Sequence, residues 1–411
     1  MKVLHINYSD SKGGAATSCV RLLDALNKNS IDSKLLVNEK YRINRNDIIL
    51  NLDNNYELYI HKMKKILAIQ SKKILGANNI YKDSISFFRS GLVKKINKFD
   101  CDIVNFHWIC NEMIAIEEFC QIKKPQVWTI VDMWPFVGSK HYTTNNFYKF
   151  KDKKFDNKKK FNIENWVLNR KKLFFNSDIK IVCISNWLKG LAEESQVLKN
   201  NQIYTVPCSI DHLKWFPINK QSAKKCLKFD LEKKYFLFSA YNGINDYRKG
   251  FDLLLESIQA LEMRKEDFSI VIIGNASGLE DLKKKYKFNF IVFDKHFDDD
   301  VVSLRLIYSA SDLLIVPSRI EAFGQIVLEA GACELPCVTF DKIGTADIIS
   351  HKEDGYLANY LDINDLINGI RFCLDQKNYN KISKNIRNKI INNFSYDVVA
   401  KKYKEIYKDL T

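Results

Sequence analysis

The chain has 411 residues, of which 46% are apolar and 27% charged, a composition typical of a globular protein long enough for two domains. It contains no apolar run of about 18 residues, and its N-terminal MKVLHINYSDSKGG lacks the apolar core of a signal peptide. We therefore expect a cytoplasmic protein, either free or at the inner face of the membrane. Ten scattered cysteines without a C-x-x-C pair indicate buried reduced thiols rather than disulfides or a zinc site.

Positive charge is concentrated in the first half of the chain. Residues 1–200 hold 34 Lys and Arg against 20 Asp and Glu, a net charge of +14; the totals of 64 and 49 leave 30 against 29, or +1, for residues 201–411. A basic half-protein is attracted to an anionic membrane or to nucleic acid. No helix-turn-helix, zinc-finger or RNA-binding pattern accompanies the charge, so nucleic acid is not expected as a partner.

The first half alternates predicted strands and helices. KVLHINY is a strand, and Gly13 and Gly14 lie in the loop between it and a helix, where glycine lets the backbone approach a ligand. A tight strand-to-helix turn needs glycine as well, so ligand contact is one of two interpretations. A helix at 85–98 and strands in KLLV, DIVNFHW, QVWTIVDM and IKIVCIS follow, which predicts a parallel α/β sheet. The lysine-rich segment 149–160 is expected to be a surface loop.

A basic helix is predicted at 56–76. Met63, Ile66, Leu67 and Ile74 recur in it at helical spacing among lysines. Such a helix either packs its apolar side on its own sheet or lies on an anionic bilayer. Packing on the sheet is the commoner arrangement and is the one expected here.

The segment WTIVDMWPFVGSKHY contains polar side chains at the end of a predicted strand. Asp132 in it can accept a hydrogen bond or a proton. His107 ends a neighbouring strand and, with His141, is a candidate for the same site. A lone histidine on a strand is more often a buried structural residue.

The strand pattern breaks at 202–217, where Pro207 and Pro217 bracket an expected inter-domain connection, and a second α/β series follows. We predict an N-terminal Rossmann-like domain at 1–203, a C-terminal one at 204–392, and a helix at 393–411 that could pack on either domain, including back on the first. Ligands of doubly wound sheets bind at the carboxyl ends of the strands, so two domains facing each other across a cleft are expected.

Arg248 and Lys249 stand between a strand and a helix in the second series. Two cations on a fixed loop can stabilise a diphosphate leaving group, although a solvated basic turn has the same pattern. Asn242, at the end of the preceding strand, is a further candidate for ligand contact. Gly344 and Thr345, in GTADIISHKEDG, are expected to offer backbone N–H groups.

Two glutamates lie eight residues apart in LLIVPSRIEAFGQIVLEA. We expect Glu321 in the loop before a helix and Glu329 a little over two turns along it. The loop residues Ala322, Phe323 and Gly324 would lead into a helix start that suits phosphate or a sugar ring, and Glu329 can accept hydrogen bonds from a ribose diol. An exposed carboxylate pair on an ordinary helix has the same spacing.

Three consecutive aspartates, at 298–300, precede another predicted helix. They fit either a divalent-metal motif of the D-x-D kind or a helix N-terminus, where Asp is favoured by capping and by the helix dipole. Capping is the interpretation favoured here, and no metal site is expected.

The Glu pair and the R-K-G step at 248–250 resemble the motifs of retaining glycosyltransferases of family 4, which have the GT-B fold. The resemblance covers most of the chain and is strongest from Asn242 to Ala358. WTIVDMWPF is similar to an acceptor-side motif of the polysaccharide-biosynthesis branch, usually T-L-H-D-M-W-P-F. Val131 stands here at the position of its histidine.

The resemblance implies transfer of a hexose from a UDP- or GDP-linked sugar to a glycan or lipid-linked acceptor, in the synthesis of a bacterial surface glycan such as a capsule or O-antigen. Glu321 would reach the donor sugar, Glu329 the ribose, and Arg248 and Lys249 the leaving diphosphate, with no metal or other cofactor. The Gly13 loop would lie beside the donor phosphate and the acceptor.

Other interpretations stay open. Val131 leaves room for a non-catalytic partner subunit of the same fold, against which the intact donor motif argues. The basic first half would suit a membrane-surface binding protein, and a GT-B epimerase would convert a sugar nucleotide without an acceptor.

Overall fold

The computed structural model describes residues 1–11, 13–74, 83–143, 162–240, 243–294 and 300–410. They form two compact units, Met1–Pro207 with Val399–Thr411, and Cys208–Val398. The divisions after Pro207 and before Val399 lie a few residues beyond the predicted limits at 203 and 392. Asn242, Asp298, Asp299 and the lysine-rich segment 149–160 lie outside the described residues.

The first unit is built on a parallel sheet with the strand order β3-β2-β1-β4-β5-β6-β7. All of β1 except Lys2 is buried, as is typical of strands covered on both faces of a parallel sheet. The order of the strands along the chain reverses between β1 and β4. The strands are β1 Lys2–Ser9, β2 Asp32–Glu39, β3 Ile48–Leu50, β4 Ile103–Phe106, β5 Gln126–Ile130, β6 Lys180–Cys183 and β7 Ile203–Thr205.

The helices described in this unit before Pro207 are α1 Gly14–Lys28, α2 Asn55–Ile74, α3 Leu92–Lys98, α4 Ile163–Phe174 and α5 Asn186–Glu193. The helix predicted at 85–98 is confined to α3, because Ser86 and Gly91 have φ angles of 43° and 78° that interrupt a regular helix. The expectation that α2 packs its apolar side on the sheet is wrong: only His61 and Ala68 of this helix are buried.

The second unit is a parallel sheet with the strand order β10-β9-β8-β11-β12-β13. Its strands are β8 Lys234–Ser239, β9 Phe268–Ile273, β10 Phe290–Phe293, β11 Leu313–Val316, β12 Cys337–Phe340 and β13 Tyr356–Ala358. The chain order reverses between β8 and β11. Its helices are α6 Lys220–Cys226, α7 Phe251–Gln259, α8 Leu279–Tyr286, α9 Val301–Ala310, α10 Gln325–Ala332, α11 Ile363–Leu374 and α12 Gln376–Phe394.

The last helix, α13 Tyr396–Lys408, joins the first unit from Val399 onward. Two buried tyrosines attach it to the sheet of that unit. The Tyr407 hydroxyl accepts a hydrogen bond from Asn105 Nδ2 at 2.7 Å, and the Tyr403 hydroxyl lies 3.1 Å from Thr129 Oγ1. In the described part of the chain, no helix is long and apolar enough to span a bilayer.

Candidate functional site

Most of the predicted site residues follow strands that flank a reversal of strand order. In the first unit Gly13 follows β1 and His107 follows β4, the two strands at the reversal, whereas Asp132 follows β5, the next strand beyond β4. In the second unit Lys249 follows β8 and Glu321 follows β11. In doubly wound sheets the crevice at such a reversal, outside the carboxyl ends of the strands, is where ligands bind. Each unit therefore carries its own candidate site.

In the second unit, the Lys249 ammonium donates a hydrogen bond to Glu321 Oε2. Both side chains are partly buried. The two loops that carry them are in backbone contact, because the Arg248 carbonyl accepts a hydrogen bond from Arg319 N at 2.7 Å. Gly250 has a φ of 68°, and a Cβ there would lie 2.0 Å from the Pro317 carbonyl oxygen. Glycine at this position lets the two loops approach, which places an ammonium beside a carboxylate.

Arg248 is oriented by a carboxylate that the sequence reasoning did not single out. Its guanidinium donates to both oxygens of Asp246, Nε to Oδ1 at 3.1 Å and one terminal nitrogen to Oδ2 at 2.6 Å. Burial raises the pKa of Asp246, but the charge of Arg248 and its hydrogen bonds outweigh burial and hold that pKa below its usual value. Asp246 also caps the 3-10 helix Tyr247–Lys249 by accepting from Arg248 N, so Arg248 is a fixed cation.

The loop from Glu321 to Gly324 is held by the segment that follows β12. Gly344 N donates to the Glu321 carbonyl oxygen at 2.8 Å, and a Cβ on Gly344 would lie 2.0 Å from the Ala322 carbonyl oxygen. The Thr345 hydroxyl lies 2.8 Å from Thr339 Oγ1. The sequence predicted a ligand contact for the Gly344 N–H. In the structure this N–H instead bonds to the Glu321 loop and positions it.

Glu329 is the fifth residue of α10, a little over one turn along the helix rather than the predicted two, because the helix begins only after Gly324, whose φ is 101°. Its carboxylate is 9% exposed and accepts a hydrogen bond from the Tyr308 hydroxyl at 2.7 Å. Tyr308 lies on α9, and no pattern in SLRLIYSASD indicated it. Phe323 is buried with its ring centroid 6.1 Å from that of Phe394.

In the first unit, Asp132 and His141 form one hydrogen-bonded cluster. Asp132 Oδ2 lies 2.5 Å from His141 Nδ1 and accepts from Trp108 Nε1 at 2.9 Å, and Asp132 Oδ1 accepts from Trp134 N at 3.0 Å. On the far side of the imidazole, Nε2 lies 2.9 Å from Ser84 Oγ. The sequence indicated Asp132 and His141 separately, and the fold brings them together.

A buried lysine on α4 supports the loop between Asp132 and His141. The Lys171 ammonium donates to the carbonyl oxygens of Trp134, of Val137 at 2.9 Å and of Gly138 at 2.7 Å, and it lies 3.8 Å from the centre of the Trp134 ring. Burial lowers the pKa of Lys171 to about 7, and nearby anionic groups offset this only in part. Its sequence context, NRKKLFF, distinguishes it in no way from a surface lysine.

His107 is buried and pairs with another histidine. His107 Nε2 lies 2.9 Å from Nδ1 of His5 on β1, and both rings are enclosed in the sheet. Burial lowers the pKa of His5 to about 3. Burial also lowers the pKa of His107 well below its ordinary value, and the neighbouring His5 lowers it further. Burial thus disfavours the charged form of both rings, and a direct role of His107 in the site stays a prediction.

Gly13 is the N-cap of α1, and Gly14 is the first residue of this helix. Gly13 has a φ of 95° and a β-carbon on either glycine would meet nothing within 4 Å. Among the described residues, no side chain caps the first turn of this helix, and that turn contains no acidic residue. Backbone N–H groups and the positive end of the helix dipole thus lie at the end of β1, where an anion would be favoured.

Asp300 caps α9, since its Oδ1 accepts from Ser303 N at 3.0 Å, as the capping interpretation predicted for this residue. The described ranges contain no cluster of three or more His, Cys, Asp and Glu side chains that could hold a metal ion.

Residues 219–389 match the family model described as glycosyl transferases group 1. A curated relative, the UDP-Gal:alpha-D-GlcNAc-diphosphoundecaprenol alpha-1,3-galactosyltransferase of Escherichia coli, is 26% identical over 237 residues, which cover 56% of this chain and 60% of the relative. The chain spans at most 61% of the length of the first three curated relatives it matches.

Two solved structures cover the whole chain and are similar to it in fold. Sucrose-phosphate synthase from Thermosynechococcus elongatus superposes with a TM-score of 0.72 at 17% identity, over 100% of this chain and 98% of that one. Anabaena Alr3699/HepE in complex with UDP and glucose superposes with a TM-score of 0.67 at 13% identity, over 100% of both chains. The fold is the GT-B fold that the sequence motifs predicted.

Proposed function

We propose that this GT-B chain, whose residues 219–389 are a group 1 glycosyl transferase domain, moves a hexose from a nucleotide-sugar to a glycan or lipid-linked acceptor in the synthesis of a bacterial surface polysaccharide. The observation that carries the proposal is the Lys249–Glu321 contact beside the fixed Arg248, at the strand-order reversal of the second unit. Two cations and a carboxylate meet at this edge of the sheet, which supports a site for a diphosphate and a sugar.

In the proposed reaction the donor diphosphate gains negative charge as its bond to the sugar breaks. Arg248 and Lys249 stabilise this charge, and they need little reorganisation because Asp246 and Glu321 already hold them. Glu321 positions the sugar, and Glu329, held by Tyr308, accepts hydrogen bonds from the ribose. The two cations can carry the leaving-group charge without a metal or another cofactor.

The acceptor hydroxyl then attacks the anomeric carbon from the face that the nucleotide leaves, and its proton passes to a phosphate oxygen or to a protein carboxylate. Configuration at that carbon is retained. Asp132 is the candidate carboxylate on the acceptor side, and both of its oxygens accept hydrogen bonds from Trp108, His141 and the backbone of Trp134. Its first role in this arrangement is to hold His141 and the loop around it.

The finer assignment is to family 4, with UDP preferred to GDP in the donor. The similarity to a UDP-Gal-dependent enzyme and to a fold crystallised with UDP supports UDP. The diphosphoundecaprenol named for the Escherichia coli relative supports a lipid-linked acceptor. A capsule or O-antigen is the proposed product, made at the cytoplasmic side of the membrane.

The test is a transfer assay with UDP- and GDP-hexoses and a polyprenyl-diphosphate-linked N-acetylhexosamine as acceptor. The proposal predicts transfer from one donor, with the anomeric configuration retained in the NMR spectrum of the product. Inverted configuration would contradict the retaining mechanism. Conversion of the donor sugar into its epimer without an acceptor would favour the epimerase alternative.

A further inference from the structure

Helix α2 turns its apolar side to solvent. A surface helix normally buries its apolar stripe and exposes its charged residues. In α2 most of the exposed apolar positions lie three, four or seven residues from another one and so share one helix face, from Tyr56, which is 73% exposed, to Ile74, which is 84% exposed. We call this the α2 stripe: Tyr56, Tyr59, Met63, Ile66, Leu67 and Ile74.

The opposite side of α2 is polar and attaches the helix to its own unit. Lys65 Nζ donates to the Tyr8 hydroxyl at 2.7 Å, and Lys72 Nζ donates to the Asp83 carbonyl oxygen at 2.6 Å. Lys64 Nζ donates to the Arg89 carbonyl oxygen at 2.5 Å. Since these lysines determine which way the helix faces, the outward direction of the stripe is a consequence of specific contacts.

Positive charge accompanies the stripe. Lys62 and Lys73 are exposed and lie along one edge of it at helical spacing. The first 200 residues, to which α2 belongs, carry a net charge of +14. An apolar helix face edged by lysines on a basic unit is complementary to a lipid surface that carries negative headgroups over hydrocarbon.

We propose that the α2 stripe docks on an anionic bilayer, with its aromatic and aliphatic side chains in the headgroup region and Lys62 and Lys73 at the lipid phosphates. The inference rests on the proposed function in one respect only: a lipid-linked acceptor gives an enzyme reason to work at that surface. The exposure of the stripe and the charge around it do not depend on the reaction.

The test is sedimentation of the full chain with phosphatidylglycerol–phosphatidylcholine vesicles and with phosphatidylcholine vesicles. We expect binding to the anionic vesicles alone, weakened about tenfold or more in the triple variant Tyr59→Ser, Ile66→Ser, Ile74→Ser. Lys62→Gln and Lys73→Gln should each weaken binding roughly fivefold at low salt. The matched control is Ile43→Ser, Leu173→Ser, Leu213→Ser, which removes three apolar side chains, each at least 65% exposed, elsewhere on the chain and should bind as the native chain does.

Wild-type binding by the triple variant, or equal loss of binding in the control, overturns the proposal. If the native chain ignores anionic vesicles and instead forms a dimer that the triple variant cannot form, the stripe is a self-association surface and the proposal is wrong. Nucleotide binding by the same samples, followed in solution without lipid, separates this failure from failure of the proposed function. The triple variant should retain that binding, because α2 carries none of the candidate donor residues.

Discussion

Lys249 and Glu321, 72 residues apart in the chain, are in direct hydrogen-bonded contact in the second unit. The contact exists because β8 and β11 are neighbours in the sheet, so that the loops after them meet at the reversal of strand order. Two glycines allow the close backbone approach that holds these loops. Gly250 lets the Lys249 loop approach the Pro317 carbonyl oxygen, and Gly344 lets its own segment approach the loop after Glu321. The pair is therefore a product of topology, and its chemistry can be tested directly.

Replacing Lys249 by methionine should lower kcat about 10²- to 10³-fold and leave KM within a few-fold, because the ammonium acts mainly on charge that develops as the diphosphate leaves. Steady-state kinetics with saturating acceptor measures both constants. The matched control is Lys284→Met on the exposed side of α8, which should behave as the native enzyme. A loss confined to KM would mean that Lys249 binds the donor without acting on the leaving group.

Tyr308→Phe should weaken nucleotide affinity about fivefold, which corresponds to about 1 kcal/mol for one hydrogen bond. The reason is that the Tyr308 hydroxyl donates to Glu329 and fixes the carboxylate proposed to hold the ribose. Titration calorimetry measures the affinity. Denaturant unfolding of the same variant is the control. A loss of about 1 kcal/mol in the free energy of unfolding, with unchanged nucleotide affinity, would make Tyr308 purely structural.

Two glycine substitutions should have opposite effects on stability. Gly344→Ala places a Cβ 2.0 Å from the Ala322 carbonyl oxygen and should lower the free energy of unfolding by about 1–3 kcal/mol. Gly14→Ala meets nothing within 4 Å and should leave that free energy unchanged or raise it by up to about 1 kcal/mol. Denaturant unfolding compares the two. If Gly14→Ala nevertheless weakens donor or acceptor affinity, the start of α1 contacts a ligand.

Asp132→Ala should destabilise the first unit by about 2–4 kcal/mol, because it leaves the buried His141, the half-buried Trp108 and the backbone N–H of Trp134 without the acceptor they share. Asp132→Asn retains an acceptor oxygen and should recover part of that loss. A proton-accepting role predicts instead that Asp132→Asn, although folded, loses turnover and its dependence on pH. Comparing melting temperatures with pH–rate profiles for the two variants separates these roles.

Acid should destabilise the first unit through its buried histidine pair. An unfolded chain protonates histidine near pH 6.5, whereas burial lowers the pKa of His5 to about 3 and that of His107 well below its ordinary value. Between pH 6.5 and these lowered pKa values, the unfolded state binds more protons than the folded state, so the free energy of unfolding falls as the pH falls below about 6.5. Each histidine contributes up to about 1.4 kcal/mol per pH unit.

The check is denaturant unfolding of the native chain and of the double variant His5→Phe, His107→Phe between pH 7.5 and 4.5. The double variant should show a clearly smaller decline of stability with acid. His351→Gln, at an exposed histidine, is the control and should decline as the native chain does. An unchanged decline in the double variant would place the acid sensitivity in other groups.

Much of this fold follows from local sequence. The alternation of apolar runs with amphipathic segments predicted two parallel sheets, and the resemblance of the Glu and R-K-G motifs predicted the GT-B fold; the structure confirms both. Residues 219–389, which contain these motifs, match the family model of group 1 glycosyl transferases. Assignment to family 4 stays a prediction, as do the roles of the individual site residues. Glu329 lies one turn nearer the start of its helix than predicted, because the spacing of two carboxylates does not indicate that the helix begins only after Gly324.

The partners of the site residues were not predictable in the same way. Asp246, Tyr308 and Lys171 act through contacts that depend on how loops and helices pack, and nothing in their local sequence sets them apart. For α2, the sequence predicts the helix correctly, but the predicted orientation of its apolar side is wrong. A helical period does not indicate which side of a helix faces the protein, and in α2 three lysines on the polar side attach it to the first unit.

The measurement that tests the central claim most directly is a calorimetric titration of the purified chain with UDP, GDP, ADP and CMP, repeated on Glu329→Gln and on Glu256→Gln, an exposed glutamate of α7. The account predicts that one nucleotide, UDP, binds to the native chain and to Glu256→Gln, and binds about tenfold more weakly to Glu329→Gln. Absence of binding by all four nucleotides would contradict a donor site at α10 and would favour the non-catalytic partner subunit. Equal binding by Glu329→Gln would contradict the proposed contact between Glu329 and the ribose.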